Sequence, residues 1–490
     1  MQPMGSATEP APAAAPNLVE KIGSDLLWYA PARILPAVVA LLGTYVYSRR
    51  LPPDEFGEYV IGLSIASTSV ALLTEWGAHP ASRFLAQYQQ EGRLREFAGA
   101  LSVLFTTSIL IGLAVAIGIY AGMAQNVSRS LALGTATYVL LGLITPYTLQ
   151  VLPAALDTRF TSLIQLAIPT LQTLAGLVFV WKVEPSGSSI MWGLVVGLCL
   201  CLPLMVARVR RVFPFGASKP AQRDVRRLVS FGWPLAIWLV TLQLFTSSDR
   251  LIIGRLDGVA NGGIYAANAS LVASAAGLLA GPLVFATYPV IMSAWAKAGP
   301  EAVQAAIRRL TNWYAMASTI LIGLLIAVGE DAAHLVLGPA YRDGSRVLVP
   351  LFAGYCMWYA AMLGNKGIEL MEKTRVLMWL LLGTCCAAIA ANLYLIPRFG
   401  FEAAAWTAFG SMSAYTIGVW IASRGYMPWK VPFADVGTYV AAATVGLALC
   451  TLVDAEGVTG FGARTILFLS SFAAVVLAAK AVRSRIQRST

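Results

Sequence analysis

The sequence predicts an all-α integral membrane protein of about fourteen transmembrane helices, arranged as two six-helix lobes in parallel pseudo-repeat plus two C-terminal helices. Three observations predict it. Of 490 residues, 58% are hydrophobic and only 12% charged, where soluble domains run near half apolar and a quarter charged. Apolar stretches of about twenty residues, the length of helix that crosses a hydrocarbon core, recur from end to end and leave no hydrophilic stretch large enough for a soluble domain. Short motifs of the first half also return in the second, some 205 residues later.

In chain order, residues 1–25 read as a disordered cytoplasmic tail. The first seventeen are rich in Pro and Ala and carry no apolar signal core. An N-lobe over 26–208 holds the spans Leu26–Ser48, Gly57–Gly77, Ala98–Met123, Ser130–Leu152, Phe160–Trp181 and Ser189–Ala207. A basic cytoplasmic linker occupies 209–229. A C-lobe over 230–424 holds Ser230–Ile253, Gly263–Ile291, Asn312–Val328, Val347–Ile368, Val376–Ile396 and Glu402–Ala422. Residues 425–490 add Phe433–Leu452, Gly462–Val482 and a basic tail. Pro36, Pro234 and Pro282 fall inside spans, where membrane helices tolerate proline at bends.

Orientation follows from the basic residues. With both termini cytoplasmic, 24 Lys and Arg fall on the inner side and ten on the outer side, with Arg33 alone inside a span. That bias fixes an even number of crossings. The net charge of +11 comes from these short loops, a pattern of topology and anionic lipid headgroups rather than nucleic acid.

The repeat is carried by few residues. Trp28 is matched by Trp233 and Arg50-Leu51 by Arg255-Leu256 at an offset of 205, and Gly57-Glu58-Tyr59 by Gly263-Ile264-Tyr265 at 206. Six helices separate the copies, so both have the same orientation, and the halves are related by an axis along the membrane normal. The six cysteines lie in apolar segments without disulfide or zinc spacing, and His79 and His334 belong to no ligand motif. No metal or cofactor is expected, and no phosphate-binding lysine loop, nucleophile elbow or paired-carboxylate motif indicates an enzyme.

The stretch RRLPPDEFGEYVIGLSIASTSVALLTEWGAHPASRFLAQY, Arg49–Tyr88, resembles the opening of the Wzx-type oligosaccharide flippases of bacterial polysaccharide synthesis. SSDRLIIGRL (Ser247–Leu256), GGIYAANASL (Gly262–Leu271) and LGPAYRDGSRVLVPLF (Leu337–Phe352) extend the resemblance over most of the chain. Its motifs are mostly topological and point to a superfamily, MOP, that also contains multidrug exporters and the lipid II flippase. The resemblance implies alternating access between two lobes in the bacterial inner membrane. The implied substrate is a polyprenyl-pyrophosphate-linked glycan, moved from the cytoplasmic to the periplasmic leaflet for O-antigen or exopolysaccharide synthesis. Membrane lipids, a coupling H⁺ or Na⁺, and polysaccharide polymerase and export proteins are the implied partners. Two rival readings stand beside it: a cation-coupled multidrug exporter of the same superfamily, and a membrane polysaccharide polymerase or glycosyltransferase.

On this reading the substrate-binding candidates are Arg33, Arg83, Lys366 and Asn268. Arg33 is either a cavity cation for the pyrophosphate or a side chain snorkelling to the near interface, and an arginine at helix centre costs roughly 2.5–3.5 kcal/mol. Asn268 is at the eighth-helix position where the lipid II flippase relatives have an arginine. Arg83, with Glu75, brackets the inner end of the second helix as a gate or a positive-inside anchor. Asp249, Arg250 and Glu75 are the ion-coupling or gating candidates. The alternative for Asp249 and Arg250 is an interfacial ion network with Arg255 and Asp257. Trp28, Trp181, Trp233, Trp313 and Trp429 read as an aromatic belt.

Overall fold

The computed structural model describes residues 35–155, 157–212, 221–453 and 457–489. Helix α1 is seen over 35–50, and α2 runs from Pro53 to Gln90, α3 from Leu94 to Met123. Helices α4 (Arg129–Gly142) and α5 (Ile144–Ala154) form a single span broken at Leu143. The break has a sequence cause: Pro146 lacks the N–H that would bond the carbonyl of Gly142. Helices α6 (Thr158–Lys182) and α7 (Gly187–Val212) complete the first six crossings.

The second set begins with α8 (Gln222–Leu256) and α9 (Val259–Val336). The latter is two helices meeting at Gly299, whose φ of 73° interrupts the helix. Pro300 disfavours helical geometry in the residue before it, and glycine adopts positive φ without steric cost. A short 3₁₀ turn, Pro339–Val347, leads into α10 (Leu348–Leu370), followed by α11 (Thr374–Phe399), α12 (Glu402–Ser423), α13 (Phe433–Cys450) and α14 (Gly457–Ser489). Among the described residues twelve helical segments are long and apolar enough to cross a membrane. With α1 and the 22-residue α12, each of the fourteen sequence-predicted spans has its helix.

Helices outrun the apolar windows that predicted them. α2 has 38 residues and α8 has 35, so both project beyond a hydrocarbon core, which about twenty residues cross. Much of the 209–229 interval is therefore helix, the end of α7 and the start of α8. The surfaces facing away from the core are apolar: Leu110 on α3 and Leu477 on α14 are about two-thirds exposed, as befits lipid contact. Cys199 and Cys386 are exposed too.

Helices α1–α7 form one lobe and α8–α12 the other. α13 and α14 pack on the second half of α9, with Phe468 and Phe472 of α14 against Met316, Ile320 and Leu324. The lobes meet chiefly where α2 lies along α8 and the start of α9.

Candidate functional site: the seam between the lobes

At its outer end the seam is built from the repeat itself. Pro53 opens α2 and Val259 opens α9, 206 residues apart. One turn later, Gly57 lies against the carbonyl of Val259, and Gly263 lies against the carbonyl of Pro53. The two contacts are each other's image under the 206-residue offset. A two-fold axis between the lobes produces such reciprocity, residue i touching j and j touching i. Glycine is required at both positions because a Cβ would overlap the facing carbonyl oxygen.

Further contacts close this end. The Arg49 guanidinium donates to the carbonyls of Leu335 (2.8 Å) and Val336 across the seam, with its plane on the Tyr45 ring. The Ser48 hydroxyl accepts from the Gly338 amide at 3.1 Å, and the buried Tyr341 hydroxyl donates to the Leu51 carbonyl at 3.0 Å.

About two turns inward on α8 the symmetry is broken by charge. Asp249 accepts a 2.6 Å hydrogen bond from the Tyr265 hydroxyl and a 2.8 Å bond from the Arg250 amide. The Arg250 side chain lies among Asp249, Tyr265, Tyr355 and, from the opposite lobe, Tyr59. Its Nε is buried and has no hydrogen-bond partner among the described residues. Such a group carries a desolvation cost that a ligand or a partner in another conformation can offset. The positions one repeat earlier, at the 205-residue offset of this helix, are Thr44 and Tyr45, so only one lobe bears this cation. The network with Arg255 and Asp257 considered from sequence does not form: Asp257 takes its bond from Asn261, and Arg255 is exposed.

At mid-seam the Gln243 amide donates to the Ser67 hydroxyl at 3.0 Å. At the inner end Gly232 abuts the carbonyl of Trp76, and Arg227 bonds Gln87 at 3.0 Å while stacking over Phe84. Asp224, only 3% exposed, accepts from the Tyr88 hydroxyl (2.6 Å) and from Arg93 (3.4 Å). Arg93 also bonds Glu96, and that carboxylate holds its guanidinium pKa above the usual arginine value. The seam between the lobes is thus closed at its outer end by contacts of α1 and α2 with α9 and the 3₁₀ turn, and at its inner end by contacts of α2 with α8.

The other sequence candidates are dispersed. Arg33 and Trp28 lie outside the described residues. Arg83 is exposed on α2. Glu75 pairs with His79 at 2.8 Å on α2, both about one-fifth exposed, and His79 also meets Gln150 of α5 at 3.4 Å. Lys366 bonds Glu369 at 2.6 Å on the inner part of α10. Asn268 is fully buried and donates to the carbonyls of Ile264 and Tyr341, both at 2.9 Å; in this conformation it reaches no open surface. Trp429 departs from the aromatic belt: it is buried, and its indole N–H bonds Thr311 at 3.0 Å, whereas Trp181, Trp233 and Trp313 are half exposed or more.

Sequence reasoning missed Arg49, Tyr88, Arg93 and Asp224 as seam residues. Arg49 and Arg93 sit in loop-proximal basic positions that topology alone explains, and Asp224 lies within a basic run. The reciprocal Gly57 and Gly263 contacts were signalled, since the repeat motif already contained them.

A family model described as polysaccharide biosynthesis protein matches residues 22–295, more than half the chain. The chain belongs to the polysaccharide biosynthesis protein family. No curated protein matches it in sequence. Among solved structures, the lipid II flippase MurJ in an inward closed conformation aligns with a TM-score of 0.75 at 12% identity, over 94% of this chain and all of that one. An inward-facing multidrug resistance MATE transporter of the MOP superfamily aligns with a TM-score of 0.61 at 11% identity, over 81% of this chain and 97% of that one. A MOP superfamily transporter from Pyrococcus furiosus gives 0.51 at 10% identity, over 86% and 96%. The polysaccharide biosynthesis protein described here thus has the MOP superfamily fold, and these neighbours are transporters and a flippase, not enzymes.

Proposed function

We propose that this polysaccharide biosynthesis protein flips a polyprenyl-pyrophosphate-linked oligosaccharide from the cytoplasmic to the periplasmic leaflet of the bacterial inner membrane, with both chain termini in the cytoplasm. The observation that carries the reading is Arg250, a guanidinium with an unpartnered buried Nε at the seam of two pseudo-symmetric lobes. A bidentate planar cation suits a diphosphate. Family membership and the fold shared with a lipid II flippase support the substrate class.

The physics fits. A glycan headgroup cannot enter hydrocarbon, where each unsatisfied polar group costs several kcal/mol. A seam that parts at one end and then the other admits the headgroup while the lipid tail stays in the bilayer. Arg33 is the cytoplasmic-side cation in this reading, with Arg83 and Lys366 near the inner mouth. A headgroup with about two negative charges moving outward gains roughly 4–5 kcal/mol per 100 mV of inside-negative potential. The Glu75–His79 pair supports a proton as the coupling ion, exchanged against the substrate. Its carboxylate also keeps the multidrug-exporter alternative in view, since such pumps need acidic groups inside the helices.

The test is polymer export in cells carrying Arg250→Ala, with Arg250→Lys beside it and abundance checked by immunoblot. Loss of export in Arg250→Ala at normal abundance, with partial function in Arg250→Lys, is expected. Wild-type export in Arg250→Ala rejects the assignment.

A further inference from the structure

Away from the seam, a cleft of about 620 Å³ opens between the start of the second half of α9 and the segment leading into α13. Arg308 and Arg309 line it from α9, and Lys430 lines it from the opposite segment. All three are exposed, and none is in an ion pair among the described residues. Two acids also line the cleft, each at a helix start. Asp435 is in the first turn of α13, and Glu301 follows the break at Gly299 by two residues. Negative charge is favourable at helix N-termini, so those carboxylates are partly compensated by backbone dipoles and the three cations are left to a ligand.

The walls are fixed rather than loose. The Trp429 indole, next to Lys430, is held by Thr311, and the Tyr439 hydroxyl donates to Asn312 at 3.2 Å. The rim gives the depth. Trp313, beneath the Arg309 guanidinium at 5.0 Å, and Phe433 at the head of α13 are both more than half exposed. An exposed tryptophan at the edge of an apolar span marks the headgroup level of a bilayer, and Trp313 stands at the start of the span Asn312–Val328. The basic cluster is on the side that carries the excess of Lys and Arg, which is the cytoplasmic leaflet.

We propose that this cleft is a binding site for the phosphate headgroup of an anionic glycerophospholipid of the cytoplasmic leaflet. A two-phosphate lipid of the cardiolipin class fits best, because cations from two separate segments can each take one phosphate. Basic pockets between helices on this face bind such headgroups. The site is separate from the seam and does not depend on what the seam transports.

The test uses purified full-length protein in detergent with added cardiolipin, read by native mass spectrometry and by the lipid-induced rise in melting temperature. Arg308→Ala/Arg309→Ala is compared with Arg223→Ala/Arg226→Ala, which removes two exposed cations at the start of α8, and with Lys430→Ala. The wild type and the α8 variant should retain cardiolipin equally. The α9 variant should lose it by roughly tenfold or more and Lys430→Ala by a smaller factor, with melting temperatures unchanged when lipid is absent. Equal retention by the α9 variant, or equal loss in the α8 variant, overturns the proposal, the latter because it shows general surface attraction. Millimolar inorganic phosphate should leave the melting temperature unmoved. A rise equal to that with cardiolipin assigns the cleft to a soluble anion and overturns the lipid assignment.

Discussion

Gly57→Ala should act as a wedge at the outer end of the seam. The added Cβ would overlap the Val259 carbonyl oxygen and stand 2.9 Å from its carbon, where ordinary contact begins at 3.4 Å. Both obstacles are backbone at the head of α9, so neither can swing aside. Relief requires α2 and α9 to part by roughly 1 Å, an overpacking strain of about 1–3 kcal/mol. That strain exists only while the outer end is closed, so it shifts the population toward the outward-open state by about 5- to 150-fold. The assay is labelling of Ser48→Cys by a membrane-impermeant maleimide, with the exposed Cys199 and Cys386 replaced by Ala. Ser48 is 4% exposed and bonded across the seam, so labelling should be slow until the lobes part and should accelerate by that factor in Gly57→Ala. Gly277→Ala, whose Cβ would meet no atom within 4 Å, is the matched control and should leave the rate unchanged. An unchanged rate in Gly57→Ala, in a protein of normal abundance, would refute the claim that this contact is a gate.

Other outcomes follow from the same geometry. Arg49→Ala removes two carbonyl bonds across the seam and should speed Ser48→Cys labelling as well, by about fivefold for roughly 1 kcal/mol; no change would assign Arg49 to topology alone. Asp224→Asn keeps the volume but weakens the bonds to Tyr88 and Arg93. It should expose the 91–93 turn to faster tryptic cleavage after Arg93, and an unaltered rate would argue against an inner lock. Glu75→Gln leaves His79 without its carboxylate partner and should abolish any proton movement coupled to transport; retention of that movement would move the coupling site elsewhere. Cysteines at Asn126 and Gln222, both exposed, should label from the outer and inner sides respectively, and the reverse would invert the topology.

The crossings were legible because a bilayer imposes a length and an apolarity on each helix. The ends were not: hydropathy registers the hydrocarbon, whereas α2 and α8 continue as helix beyond it, sustained where Leu85 and Tyr88 pack with Leu228 and Asp224 accepts from Tyr88. The break at Gly299 fell in the gap between the spans Gly263–Ile291 and Asn312–Val328, whereas that at Leu143, readable in principle from Pro146, lay inside the apolar window Ser130–Leu152 that smoothed over it. In the site, Gly57 and Gly263 were legible because symmetry wrote the same small residue twice. The network with Arg255 and Asp257 offered as the alternative for Asp249 followed sequence proximity, whereas its bond goes to Tyr265 on the next helix. Asp224 was hidden by neighbouring arginines, and only the fold brings Tyr88 to it from 136 residues away. Asn268 was carried over from the resemblance, and its side chain turned out to serve the carbonyls that join α9 to the 3₁₀ turn.

The most direct measurement is translocation in vesicles reconstituted with the purified protein and a fluorescent polyprenyl-diphosphate oligosaccharide, followed by quenching from outside. With the basic face of the protein inside and a potassium diffusion potential negative inside, labelled lipid placed in the inner leaflet should appear in the outer leaflet. The rate should exceed that of protein-free vesicles, rise with the potential, and fall to the protein-free level in Arg250→Ala. Translocation no faster than in protein-free vesicles, or equally fast with Arg250→Ala, would contradict the account.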